Sequence, residues 1–424
     1  MLRLYNAAVA PLRLVLEVWA RRPLRGADSR SEWSERRGLV PDAPPGGIWI
    51  HGASVGEARI VRALAAALRE TRPELALSVS ATTRTGRAQL PRPPAVDAAF
   101  YAPLDLPTLP RRVLRSVRPA LLVLVETELW PNLLAESRSA GVTRVVVNAR
   151  LSAARMARYR RWAKLFRPLI GGLERVGAQS EADAQRFLEL GAAPAAVVVT
   201  GNVKWDLPAP SPDARSLRER LGLDPTRPLF AAGSTADGEE QAVLAAFAAA
   251  RLDRPDLLLL LAPRRPERID AVERLARAAG LRVGRLSCAG GRSQDLDVLL
   301  VDTIGELPAL YQLCAVAFVG GTLVPLGGHN LLEPAAVGVP VLFGPSTESV
   351  AEASAALLQA RAAERVGSAG ELATSLRRLL ADESGRREMG ARGLDLVRRN
   401  RGALERSRTL VLEALAVRLR AGAA

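Results

Sequence analysis

Five loops of this chain carry side chains able to do chemistry, and each follows an apolar run that reads as a strand. His51-Gly52-Ala53-Ser54-Val55-Gly56-Glu57 sets a carboxylate at the opening of a helical pattern. There it can be a general base for an acceptor hydroxyl, or an acidic residue favoured by the helix dipole. In Glu126-Thr127-Glu128-Leu129-Trp130-Pro131-Asn132 two carboxylates two residues apart would point the same way on a continued strand. That suits acid–base work, cation handling or an N-terminal cap. Thr200-Gly201-Asn202-Val203-Lys204-Trp205-Asp206 holds one of two lysines, the other being Lys164. Its ammonium would offset the charge of an anionic leaving group or lie solvated on the surface. Ala262-Pro263-Arg264-Arg265-Pro266-Glu267-Arg268 offers guanidinium forks, which suit phosphate. The fifth stretch, 317–334, runs from an apolar segment into Gly320-Gly321, a second pair Gly327-Gly328, and Asn330-Leu331-Leu332-Glu333 as the expected first turn of a helix. Such a helix start presents free amides to a phosphate, and Glu333 would accept hydrogen bonds from sugar hydroxyls. A tight α/β turn, with its glycines serving packing, is the alternative.

These loops need strands behind them. Strand-like segments are expected at 46–51, 75–79, 121–125, 144–147, 175–178 and 196–200, and again at 228–232, 257–261, 298–301, 315–319 and 339–343. Helical patterns alternate with them, which argues for parallel sheets covered on both faces: an α/β chain of two doubly wound, Rossmann-like domains. In such sheets ligands bind beyond the carboxyl ends of the strands, where the five loops fall. Three prolines in Leu207-Pro208-Ala209-Pro210-Ser211-Pro212 mark a linker. The expected divisions are a segment 1–22, a first domain 23–206, a linker 207–213, a second domain 214–400, and a helix 401–424 that crosses back to the first domain.

At 424 residues with 48% hydrophobic and 24% charged residues, the chain can bury two cores. The formal charge of +15 comes almost wholly from arginine and favours anionic partners: nucleic acid, an anionic membrane surface or a phosphorylated substrate. With 4% aromatic residues and no aromatic–basic interleaving, a nucleic-acid-binding module is not indicated. His51 and His329 are the only histidines, too few for a histidine-rich metal site. Cys288 and Cys314 sit in apolar sequence and read as core residues in a reducing compartment.

The segment 1–22 is too short in its uncharged run to span a bilayer and carries no signal-type cleavage site. Leu2, Leu4, Val9, Leu12, Leu14, Leu16 and Val18 form a broad apolar stripe, followed by Arg21, Arg22 and Arg25. Two readings stand: an amphipathic membrane-associating helix, and a helix packed on its own domain.

Taken together and in order, Ser54-Val55-Gly56-Glu57, Glu126-Thr127-Glu128-Leu129-Trp130-Pro131, Asn148-Ala149-Arg150-Leu151-Ser152, Gly201-Asn202-Val203-Lys204, Pro263-Arg264-Arg265-Pro266-Glu267-Arg268 and Gly327-Gly328-His329-Asn330-Leu331-Leu332-Glu333-Pro334 resemble the 3-deoxy-D-manno-octulosonic acid (Kdo) transferases. The resemblance implies a metal-independent, cofactor-free GT-B glycosyltransferase moving Kdo from CMP-Kdo to a lipid A precursor at the cytoplasmic face of the inner membrane. It implies Glu57 as catalytic base, with Glu126 and Lys204 as transition-state stabilisers. It further implies Pro263, Arg264, Ile304, Gly305, Glu306, Asn330, Leu331, Leu332 and Glu333 as the CMP site. Two departures stand out: Arg265 replaces a histidine common in relatives, and Ala236 follows Gly233-Ser234-Thr235 where many carry a histidine. A GT-B enzyme with another sugar-nucleotide donor, such as a UDP-hexose, and a basic nucleic-acid-binding protein are the alternatives.

Overall fold

The computed structural model describes residues 1–20, 27–206, 213–288 and 293–423. Of the expected linker 207–213, residues 207–212 lie outside the described residues, as do Arg21, Arg22 and Arg25. By contacts the chain divides into two compact units, Met1–Leu207 with Asn400–Ala424, and Pro208–Arg399.

The first unit is built on β1 (Ile48–Gly52), β2 (Leu77–Ala81), β3 (Ala98–Tyr101), β4 (Leu121–Val125), β5 (Thr143–Ala149), β6 (Arg175–Ala178) and β7 (Val197–Val199). These pair in parallel in the order β3-β2-β1-β4-β5-β6-β7. Strand β4 reads Leu-Leu-Val-Leu-Val and is buried along its whole length, as a strand covered on both faces must be. Side chains alternate between the faces: Ile48, Ile50, Val123 and Val125 join one core, and Trp49, Leu122 and Leu124 the other. The helix Val55–Thr71 lies on the first face through Ala58, Val61, Ala65 and Leu68, a three-to-four spacing that makes one apolar stripe. Burying a side chain such as Leu68 contributes roughly 1.5–3 kcal/mol.

The C-terminal helix Ala403–Ala423 belongs to this unit. It packs on β4, β5, β6 and the Val55–Thr71 helix, and sends Leu410, Val411, Ala414 and Leu415 into the same core. Asp206 tethers its start by accepting the Gly402 and Leu404 amides, each at 2.6 Å. At the other end of the chain the helix Leu2–Ala20 packs Leu2 and Tyr5 against the Trp49 core, while Leu4 stays 63% exposed. No helix among the described residues is long and apolar enough to cross a membrane.

The second unit repeats the plan with β8 (Leu229–Thr235), β9 (Leu258–Pro263), β10 (Val283–Arg285), β11 (Val298–Leu300), β12 (Val316–Val319), β13 (Val341–Phe343) and β14 (Ala363–Arg365). They too are parallel, in the order β10-β11-β9-β8-β12-β13-β14. Strand order reverses between β1 and β4 in the first sheet, and between β8 and β12 in the second. At such switch points the loops diverge and leave a crevice for a ligand.

Three strands, β3, β10 and β14, were not expected from the sequence, and all three are sheet edges. Paired on one side only, β10 and β14 need less apolar surface and carry Arg285, Glu364 and Arg365, whereas β3, Ala-Ala-Phe-Tyr, is buried but short. One expectation is corrected for the cysteines: Cys314 is buried but Cys288 is exposed on a surface turn.

Candidate active site

The first group of functional side chains sits at the switch point of the first sheet. Strand β1 ends at Gly52, where a Cβ would come within 2.9 Å of Glu57 Cβ and 3.0 Å of Val61 Cγ2, so glycine lets the next helix start directly against the strand. Ser54 caps that helix, and Glu57 completes a capping box. Glu57 Oε2 accepts the Ala53 and Ser54 amides at 2.6 and 2.7 Å. Among the described residues nothing donates to Oε1. Beside it, a Cβ on Gly56 would meet only Ser54 Oγ, at 3.9 Å, so packing does not demand glycine there and the space next to Glu57 stays open.

Glu126 and Glu128 were expected on a continued strand. The structure corrects this: β4 stops at Val125, and Glu126 takes a left-handed φ of +61°. Asn148, at the end of the neighbouring β5, does the same at +52°. Two non-glycine residues held in this region at adjacent strand ends store backbone strain, on the order of 1–3 kcal/mol each, which the surrounding contacts must hold. Those contacts are specific. Glu126 Oε1 accepts from Lys204 Nζ at 2.8 Å and from Asn148 Nδ2 at 3.4 Å. Asn148 Oδ1 accepts the Val203 amide at 2.9 Å and so fixes the lysine's own turn.

Glu128 points elsewhere. Its Oε2 accepts from Trp130 Nε1 at 2.7 Å and lies 3.5 Å from His51 Nε2. His51 is buried, and its Nδ1 lies 2.9 Å from Ser80 Oγ, which in turn accepts from Trp49 Nε1 at 2.8 Å.

Each of these carboxylates therefore has a different electrostatic setting. Burial pushes Glu128 up, but His51, Trp130 and Arg155 outweigh it and hold the group below the usual carboxylate range. Glu57 is pushed above that range, first by burial and then by the charge of Glu128, with Glu126 adding to it and the Ser54 and Ala53 amides opposing. Glu126 has its lysine and Glu128 its histidine, while Glu57 has no cationic partner among the described residues. A fixed carboxylate of raised basicity with one free oxygen is what a general base requires.

The second group sits at the switch point of the second sheet. Glu239, fully buried at the start of the helix Glu239–Arg251, accepts the amides of Ala236 (2.8 Å), Gly321 (2.7 Å), Thr322 (2.9 Å) and Leu323 (2.8 Å). It thereby joins the loop after β8 to the loop after β12. Gly320 must be bare for this, because a Cβ would come within 2.6 Å of the Ser234 carbonyl and 2.7 Å of Glu239 Oε2. Beside the joined loops lies a pocket of about 820 Å³, lined among others by Thr235, Asp237, Arg264, Arg265, Arg268 and His329. Arg268 is engaged by Asp237 at 2.9 Å and Glu240 at 3.1 Å. Arg264 and Arg265 form no ion pair among the described residues, which leaves two guanidinium groups for an anion. His329 Nε2 is buried without a hydrogen-bond partner, and burial followed by the nearby Arg264 holds the ring below the usual histidine range.

Of the expected nucleotide residues, Arg264 lines this pocket and Pro263 ends β9 beside it. The helix expected from Asn330 is corrected to a single turn, Leu332–Ala335. One turn has little dipole to offer, so Arg264 and Arg265 are the groups better suited to an anion. Asn330 accepts the Leu332 amide at 3.1 Å and donates to Glu333 Oε1 at 3.1 Å, which aims that carboxylate. Leu331 and Leu332 are buried, at 0% and 6% exposure, and neither lines the arginine pocket. Ile304, Gly305 and Glu306 do not line the arginine pocket. They precede the helix Leu307–Tyr311, which packs on the Leu332–Ala335 turn, and Glu306 pairs with Arg220 at 3.0 Å.

Sequence reasoning passed over Glu239, which a Gly-Glu-Glu run shortly after a strand would have flagged. Neither histidine's partner could be read from the chain, since Glu128 and Ser80 reach His51 only through the fold. Among the described residues no group of three metal-ligating side chains converges.

A family model described as 3-deoxy-D-manno-octulosonic-acid transferase (kdotransferase) matches residues 31–207. The 3-deoxy-D-manno-octulosonic acid transferase of Haemophilus influenzae is 35% identical over 386 residues, covering 89% of this chain and 90% of the relative. That of Bordetella pertussis is 35% identical over 405 residues, covering 91% and 92%. Among solved structures, a glycosyltransferase from Rickettsia africae superposes with a TM-score of 0.55 at 12% identity, covering 88% of this chain and 99% of that one. Anabaena HepE in complex with UDP and glucose does so at 0.54 and 16%, covering 88% and 100%. The structural likenesses show the fold, GT-B, and the sequence likenesses show the family. With about nine-tenths of its length aligned to relatives of that name, this chain belongs to the 3-deoxy-D-manno-octulosonic acid (Kdo) transferase family.

Proposed function

We propose that this enzyme is an inverting transferase that moves Kdo from CMP-Kdo to lipid IVA, a lipid A precursor, with Glu57 as general base. The observation that carries the reading is the capping-box carboxylate itself: one oxygen is pinned by two amides, and among the described residues nothing donates to the other and no cation neutralises it. In this reading Glu57 Oε1 takes the proton of an acceptor hydroxyl as that oxygen attacks the anomeric carbon of Kdo, and the bond to the CMP phosphate breaks. One displacement inverts the configuration. Lys204, held by Glu126, offsets negative charge that develops on the leaving group. The CMP phosphate is assigned to Arg264 and Arg265, beside Pro263, and its ribose to Glu333, which Asn330 orients.

The first domain, 23–206, is thus given the acceptor and the second, 214–400, the donor. The charge of +15, the exposed Met1 and the exposed Leu4 of the N-terminal helix support attachment to an anionic membrane surface at the cytoplasmic face of the inner membrane. Purified enzyme incubated with CMP-Kdo and tetra-acylated lipid A precursor tests this by CMP release and product mass. Kdo-bearing lipid is expected. Transfer from a UDP-hexose in its place would move the chain to the other donor class.

A further inference from the structure

A second pocket, of about 240 Å³, lies within the first unit beside the turn that carries Glu57. Its walls include Tyr5 and Val9 of the N-terminal helix, Leu104 and Leu106 of the loop after β3, and Trp130 and Leu133. Ordinary small-molecule sites run from about 300 to 1,000 Å³, so this one suits a short stretch of hydrocarbon better than a sugar nucleotide.

The pocket shares two lining residues with the surroundings of Glu128. His51 and Trp130 line it and also contact Glu128, at 3.5 and 2.7 Å. Thr82, another lining residue, donates its amide to the Ala53 carbonyl at 3.2 Å, on the turn that holds Glu57. The pocket therefore lies against the turn that carries Glu57 and the group that holds Glu128. Arg36 also lines it, but its guanidinium is already spent on Glu32 at 3.0 Å and the Thr82 carbonyl at 2.6 Å.

The outer wall is latched in place. Tyr5 donates to Asp105 Oδ2 at 2.9 Å, and Asp105 also accepts the Asn132 and Leu133 amides at 3.0 and 2.8 Å. The N-terminal helix is thus fastened to the start of the helix Pro131–Ser139, directly after the loop bearing Glu126 and Glu128. That helix keeps Leu2 and Tyr5 inward yet leaves Leu4 63% exposed, with Met1 just before it 46% exposed, apolar side chains available to a lipid surface.

We infer that this pocket receives the sugar-proximal part of one acyl chain of the acceptor, with the N-terminal helix as its wall. The inference rests on the reading of the acceptor as a glycolipid. It gives the helix a role in choosing the acceptor as well as in meeting the membrane.

Val9→Trp fills the pocket from a peripheral helix. The full-length enzyme is assayed with tetra-acylated lipid A precursor and with the same disaccharide phosphate stripped of its acyl chains. Each methylene displaced costs about fourfold in affinity, so the ratio of kcat/KM for the acylated over the stripped acceptor is expected to fall about tenfold, through KM. A precursor carrying a photoreactive group near the sugar end of one chain is expected to label peptides from 1–11 and 102–106. An unchanged ratio, or labelling confined elsewhere, overturns the pocket while leaving Kdo transfer standing. Failure of the unaltered enzyme to use any acylated acceptor overturns the parent reading and this one with it.

Discussion

Glu57 holds a helix start and, in the proposed reaction, takes a proton; Glu57→Gln separates the two. The glutamine carbonyl oxygen can occupy the place of Oε2 and still accept the Ala53 and Ser54 amides now at 2.6 and 2.7 Å. The amide nitrogen then stands where Oε1 was and cannot take a proton. General-base catalysis contributes about 10²–10⁴ in rate, or roughly 2.7–5.4 kcal/mol of barrier, and kcat should fall by that factor. Stability should move the other way. Because the folded carboxyl titrates above its ordinary value of 4.5, the native state binds more protons than the unfolded chain between those two values. Its favourable contribution is complete below the unfolded value and is lost as pH rises through the folded one, so at neutral pH the ionised group is a net cost that glutamine removes. Weakening two charge-assisted hydrogen bonds costs about 1 kcal/mol in return. The variant should therefore melt at or above the wild-type temperature near neutral pH, and that gap should shift in favour of wild type as the pH is lowered through the folded value. Glu57→Ala, which loses the cap as well, should be less stable by about 0.5–2 kcal/mol. CMP release gives the rate, calorimetry with CMP the binding, and melts across pH the stability. A glutamine variant within about tenfold of the wild-type rate, with unchanged CMP affinity, would refute the base and leave only the cap.

Three further outcomes are expected. Lys204→Met leaves Glu126 without the ammonium at 2.8 Å, so kcat should drop about 10²–10³ and the acid limb of the pH–rate profile should move to higher pH, because an unneutralised Glu126 raises Glu57 further; a limb that stays in place argues against that coupling. Glu239→Ala strands the buried amides of Ala236, Gly321 and Thr322 and the half-buried one of Leu323; at about 1–3 kcal/mol for each buried group left unmade, urea unfolding should show a loss of at least about 3 kcal/mol, and a change below about 1 kcal/mol would show that the loops stand without it. Gly233→Ala puts a Cβ 1.9 Å from Tyr311 Oη and should cost about 1–3 kcal/mol; Tyr311→Phe removes that atom, so the double variant should be more stable than the two separate losses predict, and strict additivity would disprove the clash.

Much of this fold was legible in the chain because parallel strands near a switch point are buried on both faces. Runs such as Leu121–Val125 and Leu258–Pro263 then have no polar face to obscure them. The strands that escaped, β3, β10 and β14, are edges, where Glu364 and Arg365 are as acceptable as valine. The loops were legible for a related reason: a parallel sheet delivers ligands to its carboxyl edge, so Glu57, Glu126, Lys204 and Arg264 could be singled out by position alone. Their division of labour was not. Lys204 lies 78 residues beyond Glu126, and only the folded sheet, with Asn148 beside both, shows that the ammonium belongs to Glu126. Likewise the left-handed turn at Glu126, which parts it from Glu128, is imposed by the end of β4 against β5. The sequence by itself determined residue types, their order and the strand ends they follow, since these are local properties of the chain. Tertiary structure decided which carboxylate is neutralised, which is left basic, and that the N-terminal helix walls an apolar pocket, since charge and burial depend on neighbours distant in sequence.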